Sequence, residues 1–157
     1  MEQADAVQQA KASASQWLAR ASPKDTEDQV FRLLSLGLFG ADPAVLETAA
    51  SQLTQQQRDD GGWGQRTDLD SDAYATGTVL YALRQAGAVS GKDRVRNRGV
   101  QFLLKTQQDD GSWFVHSRSN PFQPYYETGF PHREDQFIST SATAWATLVL
   151  LQSLPEE

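Results

Sequence analysis

Three aspartates at alternate positions, Asp68, Asp70 and Asp72 in "TDLDSDAYATG", are placed where one of them could hold a proton for chemistry. Neighbouring carboxylates raise one another's pKa, and one that stays protonated near neutral pH can act as a general acid. The same residues also read as helix-entry signals, with Asp70 or Ser71 as the cap and Asp72 favouring the positive end of the following helix. A calcium loop does not fit, because Ala73 and Val79 stand where that loop needs Gly and Glu.

A second set of polar groups falls between positions 114 and 138. His116, Arg118, Glu127, His132, Arg133, Glu134 and Asp135 alternate with Phe114, Phe122, Tyr125, Tyr126, Phe130 and Phe137, while Pro121, Pro124 and Pro131 stiffen the segment. His116 and His132 are sixteen apart, without a ligand pair on one helix face, and there is no Cys. No metal site is assigned and no cofactor is expected. Twenty-five residues without regular structure exceed an ordinary connection. The segment is expected to form a compact lid with its aromatics tucked inward. Its alternative role is a binding surface built from His116, Arg118, Tyr125, Tyr126, Glu127, His132 and Asp135, joined by Trp145, since aromatics with Arg suit interaction sites.

The elements that must position these groups are helices. Periodicity predicts six, near 4–20, 27–39, 43–57, 71–86, 92–107 and 139–153, with Asp42-Pro43 as an N-cap and first-turn pair and Gly40, Gly87 and Gly91 as stops. No strand-like alternation stands out. The first, third and fifth helices are amphipathic, with stripes such as Val7, Ala10, Ala14, Trp17 and Ala21. The stretches 73–83 and 139–153 carry no charge, and 30–40 carries only Arg32, so these helices should form an inner layer buried on several sides.

Outer and inner helices repeat. Ala49, Leu53, Gln57, Asp59, Asp60, Gly61 and Trp63 recur fifty residues later as Gly99, Leu103, Gln107, Asp109, Asp110, Gly111 and Trp113. "ATGTVLYAL" at 75–83 recurs as "ATAWATLVL" at 142–150, offset by sixty-seven, so seventeen residues are added after Trp113. "QWLARA" at 16–21 is a decayed third copy of "QFLLKT" at 101–106. Such repeats bury their faces only by stacking. The expected fold is all-α, three outer and three inner helices in hairpin repeats near 4–40, 42–87 and 92–154, within a single domain spanning 1–157. In each Asp-Gly corner, Gly61 or Gly111 would take positive φ, and the Trp would fold back to cover the Gln amide.

The spacing Arg98-Gly99-x-x-Phe102-Leu103-x-x-x-Gln107-x-x-x-Gly111-x-Trp113 resembles the QW repeat of squalene–hopene and oxidosqualene cyclases. The earlier copy keeps Gln57, Gly61 and Trp63 but has Thr48 and Gln52 at the basic and aromatic positions. The resemblance implies the α/α-toroid shared with protein prenyltransferase β-subunits. The six helices would make a partial ring excised from a longer protein and completed by a homodimer partner or a companion domain. It also implies that Asp68, Asp70 and Asp72 sit where those cyclases carry a DxDD acid. Here the pattern is D-x-D-S-D, without the paired final aspartates.

Two functions are therefore expected in turn. One is a non-catalytic or degenerate toroid module that binds an apolar small molecule or a protein. The other is part of a triterpene cyclase that protonates a polyene with a carboxylic acid. The net charge of −6 argues against nucleic acid. The longest apolar run, Leu148–Leu151, is far too short to span a membrane, and the polar start of the chain does not read as a signal peptide. The compartment is left open.

Overall fold

Aspartate opens five of the six helices, and in four its carboxylate accepts from a first-turn N–H. In the computed structural model, which describes residues 2–89, 93–120 and 124–154, the helices are α1 (Glu2–Arg20), α2 (Thr26–Phe39), α3 (Pro43–Gln55), α4 (Ala73–Gln85), α5 (Arg94–Thr106) and α6 (Gln136–Leu151). The expected stop at Gly91, and Pro121 and Phe122, lie outside the described residues. None of these helices is long and apolar enough to cross a membrane.

The inner row is α2–α4–α6, with α4 between the other two. Outer helix α1 packs on α2, α3 also packs on α2, and α5 packs on α4. The chain is therefore all-α with two layers, an arc of the expected toroid. Its core is Val30, Leu33 and Leu36 from α2, Ala49 and Leu53 from α3, Val79, Leu80 and Leu83 from α4, Leu103 from α5, and Ala142, Ala146 and Val149 from α6.

The burial of the inner helices is uneven. Only α4 is enclosed nearly all round; α2 leaves Phe31 and Leu38 exposed, and α6 leaves Phe137, Leu148 and Leu151 exposed. The reason is position, since α2 and α6 end the row. The stripe expected to bury α1 is likewise open, with Val7 and Trp17 both exposed.

The two Asp-Gly corners fill the wedge between an outer helix and the next inner one. At the first, the Gly61 N–H donates to the Arg58 carbonyl, the Gly62 N–H donates to Asp60 Oδ1, and Gly61 has φ +92°. Gly111, at +85°, makes the same turn with Gln108 and Asp110. Each tryptophan is fully buried. The Trp63 indole N–H donates to the Leu53 carbonyl at 2.7 Å and its backbone N–H to Thr76 Oγ1 at 3.0 Å. Trp113 repeats both bonds with Leu103 at 2.8 Å and Thr143 at 3.0 Å. The tryptophans therefore bond the helix carbonyls. The Gln amides, expected to be satisfied beneath the indoles, bond instead to the corner carbonyls, Gln57 to Gly61 and Gln107 to Gly111.

A short antiparallel pair, β1 (Trp63–Gly64) with β2 (Ser71–Asp72), closes the connection after the first corner. It was invisible to periodicity because two residues cannot show an alternation. The pairing also moves the start of α4 from the expected 71 to Ala73. At the other end, a 3-10 turn at Arg133–Asp135 leads into α6 at Gln136, so the irregular stretch is shorter than the expected 114–138.

Candidate functional site

The inner helices α2, α4 and α6 all begin at the same end of the row, on Asp25, Asp72 and Asp135. The segment after Trp113 runs along that end and draws these starts together. Ser139 Oγ accepts from the Val115 N–H at 3.0 Å, and Asp135 Oδ1 accepts from the Ser117 N–H at 2.7 Å. His116 Nδ1 lies 3.0 Å from Asp135 Oδ2, and Arg118 reaches Asp25 at 3.8 Å. The Arg118 charge also favours the ionised forms of Asp68, Asp72 and Tyr74, although burial outweighs it at Asp72 and Tyr74 and raises both.

The three candidate acids do not form one cluster. Asp68 is exposed and ion-paired to Arg66, whose hydrogen bond holds its carboxyl below the usual range. Asp70 is exposed. Asp72 alone is half-buried, and both its oxygens are engaged: Oδ1 accepts from the Ala75 N–H at 2.8 Å and Oδ2 from Gln65 Nε2 at 2.8 Å. Asp72, rather than Asp70 or Ser71, is thus the helix cap. The β1–β2 pair sets this choice, holding Ser71 in extended pairing while its hydroxyl donates to Asp60 at 3.1 Å. Burial still pushes the Asp72 carboxyl above its ordinary value, against the lowering effect of its hydrogen bonds.

That shift has a definite sign. The folded state binds the Asp72 proton more tightly than the unfolded chain does. Its contribution to stability is therefore fully present below the ordinary value of 3.8 and lost as pH rises through the folded pKa. Asp72→Asn, which keeps a capping oxygen, should flatten this acid-side dependence. Urea melts across acidic pH check it; an unchanged slope would show that Asp72 does not titrate in a buried setting.

Beside Asp72, the Tyr74 hydroxyl donates to Glu27 Oε1 at 2.8 Å. Burial first, and that bond second, push the phenol up to about 12. Gln65, Glu27, Tyr74 and Asp25 are site residues that the sequence reading missed. One usable signal was present: Asp25 precedes Asp72 by forty-seven residues, as Gly40 precedes Gly87.

The rest of the predicted surface is distributed along the same segment. His132, at φ +76°, lies 2.7 Å through Nε2 from Ser112 Oγ, and that hydroxyl donates to Asp110 Oδ1 at 2.7 Å. The second corner thereby pins the returning chain, and the Phe114 and His132 rings meet edge to face, their centroids 5.4 Å apart. Tyr125 donates to Glu127, which raises the phenol and lowers the carboxyl. Buried Gln136 holds the segment from below, donating to the Tyr126 carbonyl and accepting from Thr128. His116 and His132 thus bond to different partners, Asp135 and Ser112. Among the described residues, no three His, Asp or Glu side chains converge on a metal position.

The expected inward-facing lid is not what forms. Phe114, Tyr125, Tyr126, Phe130 and Phe137 are all exposed, with Tyr126 at 74%. Polar anchors fasten the segment while its rings face outward. Trp145 lies apart on α6, its indole 5.1 Å from the Tyr81 ring on α4.

Comparison with known proteins places this arrangement in a lineage. Over residues 18–155 the chain matches the family model of the squalene–hopene cyclase C-terminal domain. It is 34% identical over 112 residues to a squalene–hopene cyclase of Bradyrhizobium diazoefficiens, covering 63% of this chain and 16% of that protein. It is 29% identical over 130 residues to a probable squalene–hopene cyclase of Sinorhizobium fredii, covering 80% and 19%. A lanosterol synthase of Aspergillus fumigatus is 28% identical over 110 residues, covering 70% and 14%. The chain thus spans less than a fifth of these relatives. With both corners, the shared Trp–Thr bonds and the family match in agreement, the chain belongs to the squalene–hopene cyclase family, within its C-terminal domain.

Proposed function

We propose that this chain is a cyclase-family module that binds an apolar ligand or a protein through the aromatic segment at the start of its inner helices, and that it does not by itself protonate a polyene. The observation carrying this reading is the state of Asp72. It is the one half-buried member of the three aspartates, and its two oxygens serve α4 and Gln65. A general acid must present its proton to the substrate, and this carboxyl is turned toward its own scaffold. The exposed rings of Phe114, Tyr126, Phe130 and Phe137 supply contact area of the kind that binding surfaces use.

The second reading, a contribution to cyclisation, is supported by the raised pKa of Asp72 and by the relatives named as squalene–hopene cyclases. Incubation with squalene and with geranylgeranyl diphosphate separates the two. The expected result is no cyclised product from the wild type, Asp70→Asn or Asp72→Asn. Product formed by the wild type and lost in Asp72→Asn would overturn the binding-module reading.

A further inference from the structure

Of the five aspartates that open helices, Asp135 is the exception. Asp25, Asp42, Asp72 and Asp93 each turn a carboxylate oxygen onto a first-turn N–H. Asp135 makes no such bond to α6. Its oxygens go instead to the chain that follows the second corner. Oδ1 accepts from the Ser117 N–H at 2.7 Å, and Oδ2 lies 3.0 Å from His116 Nδ1.

The backbone records the same diversion. Asp25 and Asp72 cap in extended conformations, at ψ −179° and 166°, and each accepts from the N–H three residues on. Asp135 stands at ψ 7°, as the last residue of the 3-10 turn. That turn is entered through His132 and Arg133, at φ +76° and +48°. Among the described residues, these two are the non-glycine residues with left-handed backbone. Such backbone disfavours a residue with a Cβ by roughly 5- to 30-fold. His132 is held there by its 2.7 Å contact with Ser112, whereas Arg133 is exposed. Strain of this kind, gathered beside a diverted cap, is the mark of an element with two arrangements.

The diverted carboxylate fixes residues 114–118. Together with the Val115–Ser139 bonds it brings Arg118 to Asp25, at the end of the row where Asp72 and the Tyr74–Glu27 pair lie.

We infer that Asp135 is a two-position switch that holds or releases residues 114–118. In the state described above it clamps Ser117 and His116, and α6 starts without its aspartate cap. In the other state Asp135 takes the extended backbone of Asp25 and Asp72 and accepts from the Ile138 N–H, three residues on. The 3-10 turn then relaxes, Arg133 leaves the left-handed region, and 114–118 swings off with Arg118. One carboxylate serves two sets of donors, so each state gains what the other loses, and small biases shift the population. Release opens the approach to Asp72. The switch concerns what holds 114–118, and it stands whether or not the exposed rings bind a partner.

Amide hydrogen exchange of the full chain, read by NMR, tests this. The Ser117 amide should exchange faster than that of buried Val79 in α4, at a rate that low urea leaves unchanged, because its opening is local. Arg133→Gly removes the left-handed cost and should slow Ser117 exchange roughly 5- to 30-fold. Arg133→Ala removes the same side chain but keeps the cost, and should leave the rate where it was. Asp135→Ala should speed Ser117 exchange by about 10-fold or more, with α4 protection retained. If Asp135→Ala loses helicity by circular dichroism, Asp135→Asn takes its place, with a smaller acceleration expected. Ser117 exchanging only at the Val79 rate would overturn the switch. So would an Arg133→Gly rate equal to wild type, or equal slowing by Arg133→Ala.

Discussion

Trp63→Ala should lower the stability of this chain by about 3–5 kcal/mol, or roughly 6–20 °C in Tm for a chain of this size. The side chain is 1% exposed and fills the space where α3, α4 and α5 converge. Gly99 of α5 lies against it so closely that an added Cβ would come within 3.1 Å of the indole. Removing the ring leaves a cavity bounded by three helices, none of which can move in without releasing another partner. The substitution also leaves the Leu53 carbonyl without the indole N–H that reaches it at 2.7 Å. Trp63→Phe keeps much of the apolar volume and loses that bond, so its cost should be clearly smaller. Urea or thermal melts followed by circular dichroism check both variants. A loss below about 1 kcal/mol for Trp63→Ala would mean the corner is decoration rather than a junction.

The second large effect is a contrast between two glycines of one motif. Gly61→Ala should be far more damaging than Gly111→Ala. Both residues have positive φ, so each alanine carries a similar backbone penalty of roughly 1–2 kcal/mol. The difference lies in what the new methyl meets. At Gly61 it would lie 2.5 Å from the Arg98 carbonyl oxygen, which belongs to the backbone of α5 and cannot swing aside. At Gly111 the nearest atom within reach is Gln107 Nε2, 4.0 Å away at the end of a flexible side chain. Gly61→Ala should therefore prise α5 from the corner and cost several kcal/mol more, of the order seen for overpacked cores. Equal losses at the two positions in denaturant melts would show that the covered and open corners do not differ as described.

These contrasts mark where one-dimensional reading stopped. Thr76 and Thr143 sit inside the aligned runs "ATGTVLYAL" and "ATAWATLVL", yet nothing in their letters announces that each receives the N–H of a corner tryptophan. Asp68, Asp70 and Asp72 looked equivalent as acids, and a two-residue strand pair separated them. It placed Asp72 at the cap and left Asp68 to pair with Arg66. The aromatic segment offered rings and charges in alternation, from which an inward lid was the leading expectation and an outward surface its alternative. The polar anchors decided it, with Asp135 holding Ser117 and Gln136 holding Tyr126 and Thr128.

The sequence by itself determined the all-helical class, the two-layer logic and the corners. Each of these rests on local chemistry: the 3.6-residue period, glycine at positive φ, aspartate at helix starts and an indole that must be buried. Helix α4 followed that logic fully, since it has a neighbour on both sides. Tertiary structure alone decided that α2 and α6, equally poor in charge, end the row with Phe31 and Leu148 exposed. It also decided that one glycine corner is covered by α5 while its near-identical copy is open. Which neighbour a repeat meets is a matter of its place in the stack, and identical letters at two places in a stack bury different surfaces.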